Sequence, residues 1–150
     1  MSTDRLGMSV LETSECLELL RSVEIGRLAM NGEFPEILPI NFVVDRGAIV
    51  FRTAPGTKLA ALVDDHRVSF EADGYDADAG EAWSVVVKGF AGVLRSPHQR
   101  FAALELPLFP WQAAPKHHFV CIEPAEITGR RFHVVASPPT TLDAPRGRDE

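Results

Sequence analysis

The chain of 150 residues has few cysteines, no excess of basic residues and no long apolar run. Its two cysteines, Cys16 and Cys121, form no C-x-x-C pair, which fits a reducing compartment better than a disulfide scaffold. The formal charge of −6 argues against general nucleic-acid binding, which needs clustered Lys and Arg facing the phosphate backbone. No stretch approaches the ~20 apolar residues of a membrane span, and MSTDRLGMSV lacks the features of a secretory signal. We therefore expect a cytoplasmic protein that binds neither nucleic acid nor membrane.

The remaining composition, with 45% hydrophobic residues, is that of one compact domain. Apolar spacing after Ser14 predicts a helix over residues 14–23 with Ser14 as its N-cap. Three β-rich runs follow, separated by turns at 31–32 and 45–47, and they predict an antiparallel meander. Pro39 cannot donate a ladder hydrogen bond, so we expect an edge or a bulge at that point of the second strand.

Further along, GTKLAALVDD predicts a second helix, RVSFEAD a strand and GYDADAGE an acidic loop. In WSVVVKGFAGVLR, alternate residues from Trp83 to Val93 are apolar or small and should face a core or a partner, while Gly89 and Gly92 allow the bend of a closing barrel. A short helix over 97–106 and a long strand or strand pair from 117 complete the pattern. This order predicts a mainly β fold, a small antiparallel barrel with helices over residues 1–136, followed by a disordered tail at 137–150.

The stretch FRTAPGTKLAAL places cations at the end of a strand and at the start of a helix, around a glycine turn. Arg52 ends the strand, whereas Thr57 and Lys58 open the helix, where free backbone N–H groups and the helix dipole favour an anion. A phosphate monoester fits this pattern, although a solvated turn with surface cations fits the spacing equally well. A Walker A loop is excluded because no glycine lies five residues before Gly56 and Leu59 replaces the final Ser or Thr.

Across most of the chain the segments GRLAM, PINFVVDRGAIVFRTAPGTKLAAL, VSFEAD and WSVVVKG, in this order, resemble the pyridoxamine 5′-phosphate oxidase-like flavin-binding split-barrel family. The closer likeness is to its nitroimidazole-resistance-type branch. The resemblance implies a six-stranded antiparallel split barrel of the FMN-binding type, and a homodimer with FMN in clefts at the subunit interface. It further implies flavin-dependent redox chemistry toward a small-molecule electron acceptor, or simple flavin carriage.

The same resemblance implies the cofactor-binding positions. Arg52, Thr53, Thr57 and Lys58 match the family's phosphate contacts, Asn41 lies on the strand that passes the isoalloxazine, and Trp83 begins a motif that approaches the cofactor region. The catalytic residues stay unknown, because no side chain is distinguished as a general acid or base.

Two departures from the family restrict what carries over. The resistance-type proteins have a histidine near the position of Arg52, so their particular reductase chemistry is not assumed. The chain also lacks the basic C-terminal substrate segment of true oxidases, which argues against pyridoxamine phosphate as the substrate. Within the superfamily a deazaflavin or haem can replace FMN. A deazaflavin-dependent reductase, a non-enzymatic flavin store or sensor, and an interaction domain without cofactor therefore stay open.

Other candidate sites have simpler explanations. His117 and His118 are adjacent on a strand and point to opposite faces, so no metal site is expected there. Cys16 is expected to be a small core residue. The acidic residues of the 74–81 loop lack the glycine and distal glutamate of a calcium loop. Phe109 and Trp111 fit either a cap on the flavin or core packing.

Overall fold

A computed structural model of the chain describes residues 8–53, 66–94, 98–99, 103 and 118–134. Its elements, in chain order, are the following: β1 Met8–Val10, α1 Thr13–Arg21, β2 Ile25–Met30, β3 Glu36–Asp45, β4 Ala48–Thr53, β5 His66–Asp76, β6 Glu81–Val93 and β7 His118–His133. The predicted helix over 56–65, the aromatic loop at 106–115 that contains Phe109 and Trp111, and the tail at 137–150 lie outside the described residues. Of the predicted helix over 97–106, only His98, Gln99 and Ala103 are described, and they are helical.

Six strands form a closed antiparallel barrel in the order β7-β4-β3-β2-β5-β6, and the barrel closes because β6 pairs back onto β7. β7 is the longest strand, with 16 residues, and it pairs with β4 along one edge and with β6 along the other. β1 adds a seventh strand beside the far end of β7, where Met8 pairs with Phe132. The predicted mainly β split barrel is therefore confirmed, whereas β1 was not predicted.

The barrel interior contains the apolar residues expected from strand alternation. Phe42 and Phe70 meet edge to face across it, with ring centroids 4.7 Å apart. Val85 and Val87, on the predicted apolar face of β6, are fully buried. Helix α1 covers this core with Cys16 and Leu20, both inaccessible to solvent, so the prediction that Cys16 is a core residue is confirmed.

The helix boundary differs from the prediction. Glu12 occupies the N-cap position with extended backbone angles, and no side chain caps the first turn. Ser14 is therefore not the N-cap but the second residue of the helix. The helix ends at Arg21, two residues early, because Ser22 satisfies the carbonyl of Leu19 with both its backbone N–H at 3.0 Å and its hydroxyl at 2.6 Å.

The hairpins confirm the predicted meander. Arg46 and Gly47 have φ values of 50° and 80°, the left-handed pair that a tight two-residue β-turn requires, and they join β3 to β4. β3 pairs with β2 over 36–41 and with β4 over 42–45. At Pro39 the side facing away from β2 therefore has no ladder partner among the described residues, as expected for an edge position.

The β5–β6 hairpin is longer than predicted. Gly74, Tyr75 and Asp76 belong to β5 and Glu81 to β6, so the expected loop at 74–81 shrinks to a turn over 77–80. Its tip is held by the Asp76 carboxylate, which accepts hydrogen bonds from the backbone N–H groups of Asp78 at 3.0 Å and Ala79 at 3.1 Å. Gly74 is needed inside this strand because the Trp83 indole lies directly over it.

Candidate functional site

Two of the predicted cofactor residues, Asn41 on β3 and Arg52 on β4, lie on the outside of the barrel. Within β4, Ile49 and Phe51 point into the main core, while Val50 points to a second apolar cluster with Ala103 and Phe119. Because side chains alternate along a strand, Arg52 shares the outer face with Val50. We call this face, formed by residues of β3, β4 and β7, the outer layer; it contains Asn41, Val43, Val50, Arg52, Phe119 and Cys121.

Arg52 is fixed in the outer layer by its neighbour on β7. It pairs with Phe119 in the ladder, and its guanidinium carbon lies 4.9 Å from the centre of that ring. This is a cation–π distance, and the stacking leaves the edge of the guanidinium available for an acceptor. The Nε atom of Arg52 is buried and has no hydrogen-bond partner in the part of the chain that the structure describes.

The unpaired Nε of Arg52 indicates whether an anion fits at this position. A buried donor without a partner costs about 1–3 kcal/mol, so native structures rarely keep one unless something else supplies the acceptor. No carboxylate forms an ion pair with Arg52 among the described residues, since the pairs found there all involve Arg27. A phosphate oxygen would satisfy Nε, and the residues present therefore fit a phosphorylated ligand.

Asn41 joins Arg52 on this face. The β3–β4 ladder ends with Phe42 opposite Phe51, and Asn41 and Arg52 come next on their respective strands. A cavity of about 260 Å³ lies beside Asn41, between the end of α1 and β3, and Arg21 and Glu24 contribute its charged groups. The structure thus brings two of the predicted cofactor residues, one on each strand, to the same outer surface.

The structure separates Thr53 and Trp83 from Asn41 and Arg52. Thr53 follows Arg52 directly, so its side chain turns to the opposite face of β4, where it is only 3% exposed. Trp83 packs against the barrel core and pairs with Arg131 of β7. Since Phe119 and Arg131 are twelve residues apart, about 40 Å of β-strand separates Arg52 from Trp83 within one chain. Thr57, Lys58, Phe109 and Trp111 lie outside the described residues.

One thiol, that of Cys121, belongs to the outer layer, and its surroundings raise its pKa. Burial, together with the neighbouring Glu123 carboxylate, raises the pKa of Cys121 to about 12. Its Sγ donates to the Glu123 carboxylate at 3.6 Å. The group is therefore a protonated thiol at neutral pH and cannot act as a nucleophile there.

A second polar cluster lies elsewhere on the barrel, on β2 and β5. Arg27 lies 3.5 Å from Glu71 and 3.3 Å from Asp73. The Glu71 oxygen nearest Arg27 is close enough for charge attraction but is not aligned for a hydrogen bond. Burial raises the pKa of Glu71, and hydrogen bonding and repulsion from Asp73 raise it further, against the opposing effect of Arg27.

Two types of site find no support among the described residues. No group of three or more His, Cys, Asp or Glu side chains in that part of the chain could hold a metal ion. No helix found there is long and apolar enough to cross a membrane.

Comparison with known proteins accounts for this architecture. The sequence profile described as pyridoxamine 5′-phosphate oxidase matches residues 12–131. An FAD-binding protein from Mycobacterium smegmatis has 39% identity and a TM-score of 0.74, covering 83% of this chain and 98% of its own. A proposed pyridoxamine 5′-phosphate oxidase from Corynebacterium glutamicum also has 39% identity, with a TM-score of 0.77, covering 90% of this chain and all of its own.

The expected branch is represented among the structural neighbours. A proposed 5-nitroimidazole antibiotic resistance protein from Bacteroides thetaiotaomicron has a TM-score of 0.66, covering 84% of this chain and 89% of its own. At 11% identity, this likeness shows a shared fold and nothing about activity.

Proposed function

Because the chain belongs to the pyridoxamine 5′-phosphate oxidase family, we propose that it is a homodimeric, FMN-binding oxidoreductase that passes electrons to a small acceptor. The observation that carries the proposal is the buried Nε of Arg52, which has no partner among the described residues and lies at the end of β4. The M. smegmatis neighbour, described as FAD-binding, supports a flavin as the ligand. The ribityl phosphate is the part that the Arg52 site would recognise.

The protein's own contribution would be binding, orientation and control of solvent access. Arg52 would donate to the phosphate while Phe119 holds the guanidinium plane, and Asn41 would offer its amide to the ring portion. Thr57 and Lys58 would complete the phosphate contacts from the helix predicted after β4. Bound flavin supplies the electron and hydride transfer chemistry, and the outer layer contributes no ionised nucleophile because Cys121 stays protonated.

The first test is the identity of the bound molecule. The visible spectrum and mass of the small molecule that copurifies should identify FMN. If the molecule is FAD, the ligand of the M. smegmatis neighbour, the protein still binds a flavin, but FAD replaces FMN as the proposed cofactor. A deazaflavin would support the alternative reductase. Purified protein that is colourless and gains no absorbance from added FMN would contradict flavin binding. Anaerobic reduction by a nicotinamide donor then distinguishes an oxidoreductase from a flavin store.

The second test examines the anion contact. Arg52→Gln removes the charge and should weaken FMN about ten- to a hundredfold, as expected for a lost charge-assisted hydrogen bond worth roughly 1.5–3 kcal/mol. Affinity for riboflavin, which has the same ring and no phosphate, should change less than about twofold. Arg46→Gln, an exposed arginine in the β3–β4 turn, is the matched control and should leave both affinities unchanged. A parallel loss for both ligands would contradict a phosphate contact.

We propose the homodimer because Arg52 and Trp83 are far apart along β7 in one chain, so that Trp83 could join the site only from a second copy. The barrel exterior also exposes apolar side chains, among them Ile37 at 68% and Ile25 at 36%. Monomeric soluble proteins rarely expose large contiguous apolar patches, which more often form interfaces. Sedimentation of the flavin-loaded protein at micromolar concentration should give twice the chain mass. A monomer that retains flavin would contradict this proposal.

A further inference from the structure

A groove of about 440 Å³ runs over the exterior of β2, β5 and β6, away from the Arg52 surface. Its volume is within the range of small-molecule sites, roughly 300–1,000 Å³. The groove is lined at one end by the β2–β3 hairpin and along its length by side chains of β5 and β6. The lining residues that matter here are Met30, Pro35, Arg67, Ser69, Lys88 and Phe90.

The charged groups that line this groove are all positive. Arg67 and Lys88 supply them, and no carboxylate among the described residues lines the groove, although the chain as a whole carries a formal charge of −6. The two cations are diagonal neighbours, because Arg67 lies opposite Phe90 and Ser69 lies opposite Lys88. Like charges this close on a sheet repel each other. An anion between them would relieve that repulsion.

In the part of the chain that the structure describes, no acid forms an ion pair with either cation. The ion pairs found among the described residues all involve Arg27, and Lys88 and Arg67 take part in none. The ladder places Glu126 of β7 opposite Lys88, and Glu123 opposite Phe90. Glu123 instead accepts a hydrogen bond from Cys121, and Glu126 makes no ion pair.

Two features prepare the groove for a planar apolar body. Phe90 is 53% exposed, and the Arg67 guanidinium carbon lies 5.9 Å from its ring centre, which orients a cation over an accessible aromatic surface. The β6–β7 ladder also shifts register between Lys88 and Gly89. The extra residue at this shift is Ala125 of β7, which also lines the groove, and a bulge of this kind locally increases the twist of the sheet.

We propose that this groove binds a small aromatic carboxylate, with the anion between Arg67 and Lys88 and the ring against Phe90. The side chains at the groove floor would exclude water from the ring, and Ser69 would add a hydroxyl donor. This site is separate from the proposed flavin site, and its test requires no flavin.

The test is an NMR titration of the full-length protein with benzoate, at constant ionic strength, following the amide signals of Ser69, Lys88 and Phe90. Benzoate should bind saturably in the millimolar range and shift these signals. Benzamide has the same shape without the charge and should bind at least about fivefold more weakly, as should acetate, which has the charge without the ring.

Lys88→Gln should weaken benzoate at least about fivefold, and Arg67→Gln should do the same independently, because each removes one charge from the pair. Arg46→Gln is the matched control and should bind like the parent protein. Lys88 and Arg67 are both exposed, so neither substitution should disturb the core. Well-dispersed amide signals from each variant should show that its fold is intact. The proposal is overturned if benzoate shows no saturation up to about 50 mM, if benzamide matches it, or if both Gln variants bind like the parent.

Discussion

The close approach of β6 to β7 at Gly89 makes a sharp prediction about stability. Gly89 lies opposite Pro124, just past the register shift in the β6–β7 ladder. A Cβ added there would overlap the carbonyl oxygen of Glu123, lying also 2.9 Å from its carbonyl carbon and 3.1 Å from the Cα of Pro124. All three atoms are backbone, so no side-chain rotation can relieve the overlap, and the two strands must move apart.

The expected cost follows from that geometry. Overpacking in a filled site costs typically about 1–3 kcal/mol, and a backbone obstacle favours the upper part of this range. For a chain of this size about 1 kcal/mol lowers Tm by roughly 2–4 °C, so Gly89→Ala should lose about 4–12 °C. Gly92→Ala is the matched control on the same strand, since a Cβ there meets no described residue within 4 Å and should change Tm by less than about 2 °C.

Thermal unfolding followed by circular dichroism, with urea unfolding as a second measurement, compares the two variants directly. The m-value should stay constant if both variants unfold from the same closed barrel. Equal stability of Gly89→Ala and Gly92→Ala would show that the close approach of β6 to β7 at Glu123 is not the constraint that we infer.

Two further predictions concern titratable groups. The raised pKa of Glu71 means that the folded state loses stability as pH rises from the ordinary value of 4.5 through the raised one, so Glu71→Gln should flatten the pH dependence of Tm in that window. If Glu71→Gln leaves the pH dependence of Tm unchanged in thermal scans, burial and Asp73 do not raise the pKa of Glu71 as we infer. With a pKa of about 12, Cys121 should be only about 0.01% thiolate at pH 8, so iodoacetamide should label neither cysteine until the protein unfolds. Mass spectrometry showing rapid labelling of Cys121 in the folded protein would contradict this.

Much of the barrel could be predicted from the sequence because local signals agreed with the tertiary structure. Alternation in β6 identifies the buried face, and Val85 and Val87 are fully buried as expected. Gly89 also marks the predicted distortion of the barrel. These features depend on a side-chain period of two and on a backbone position where only glycine fits, and both can be read from a single segment.

Two of the errors share one cause. Gly74 and Tyr75 resemble a loop when considered alone, but they extend β5 because Trp83 on the neighbouring strand covers the glycine. β1 has three residues and too little pattern of its own, and its position comes from pairing with the far end of β7. The N-cap at Ser14 was wrong because the helix begins one residue earlier, without a side-chain cap. The errors in β5 and β1 depend on partners distant in sequence, which local propensity does not include, whereas the error at Ser14 is local.

Local sequence signals are equally limited for the candidate site and for the proposed contribution of a second chain. That a cation ends β4 could be read from FRTAPGTK, but the unpaired Nε of Arg52 depends on its stacking against Phe119, 67 positions further along. The order of segments in the sequence gives no distance between Arg52 and Trp83. The strand pairings give the separation along β7, because Arg52 and Trp83 both pair with that strand, at positions twelve residues apart. In the proposed homodimer a second copy of the chain would present Trp83 to a ligand held at Arg52, so flavin binding and dimer formation should be lost together when the protein is diluted.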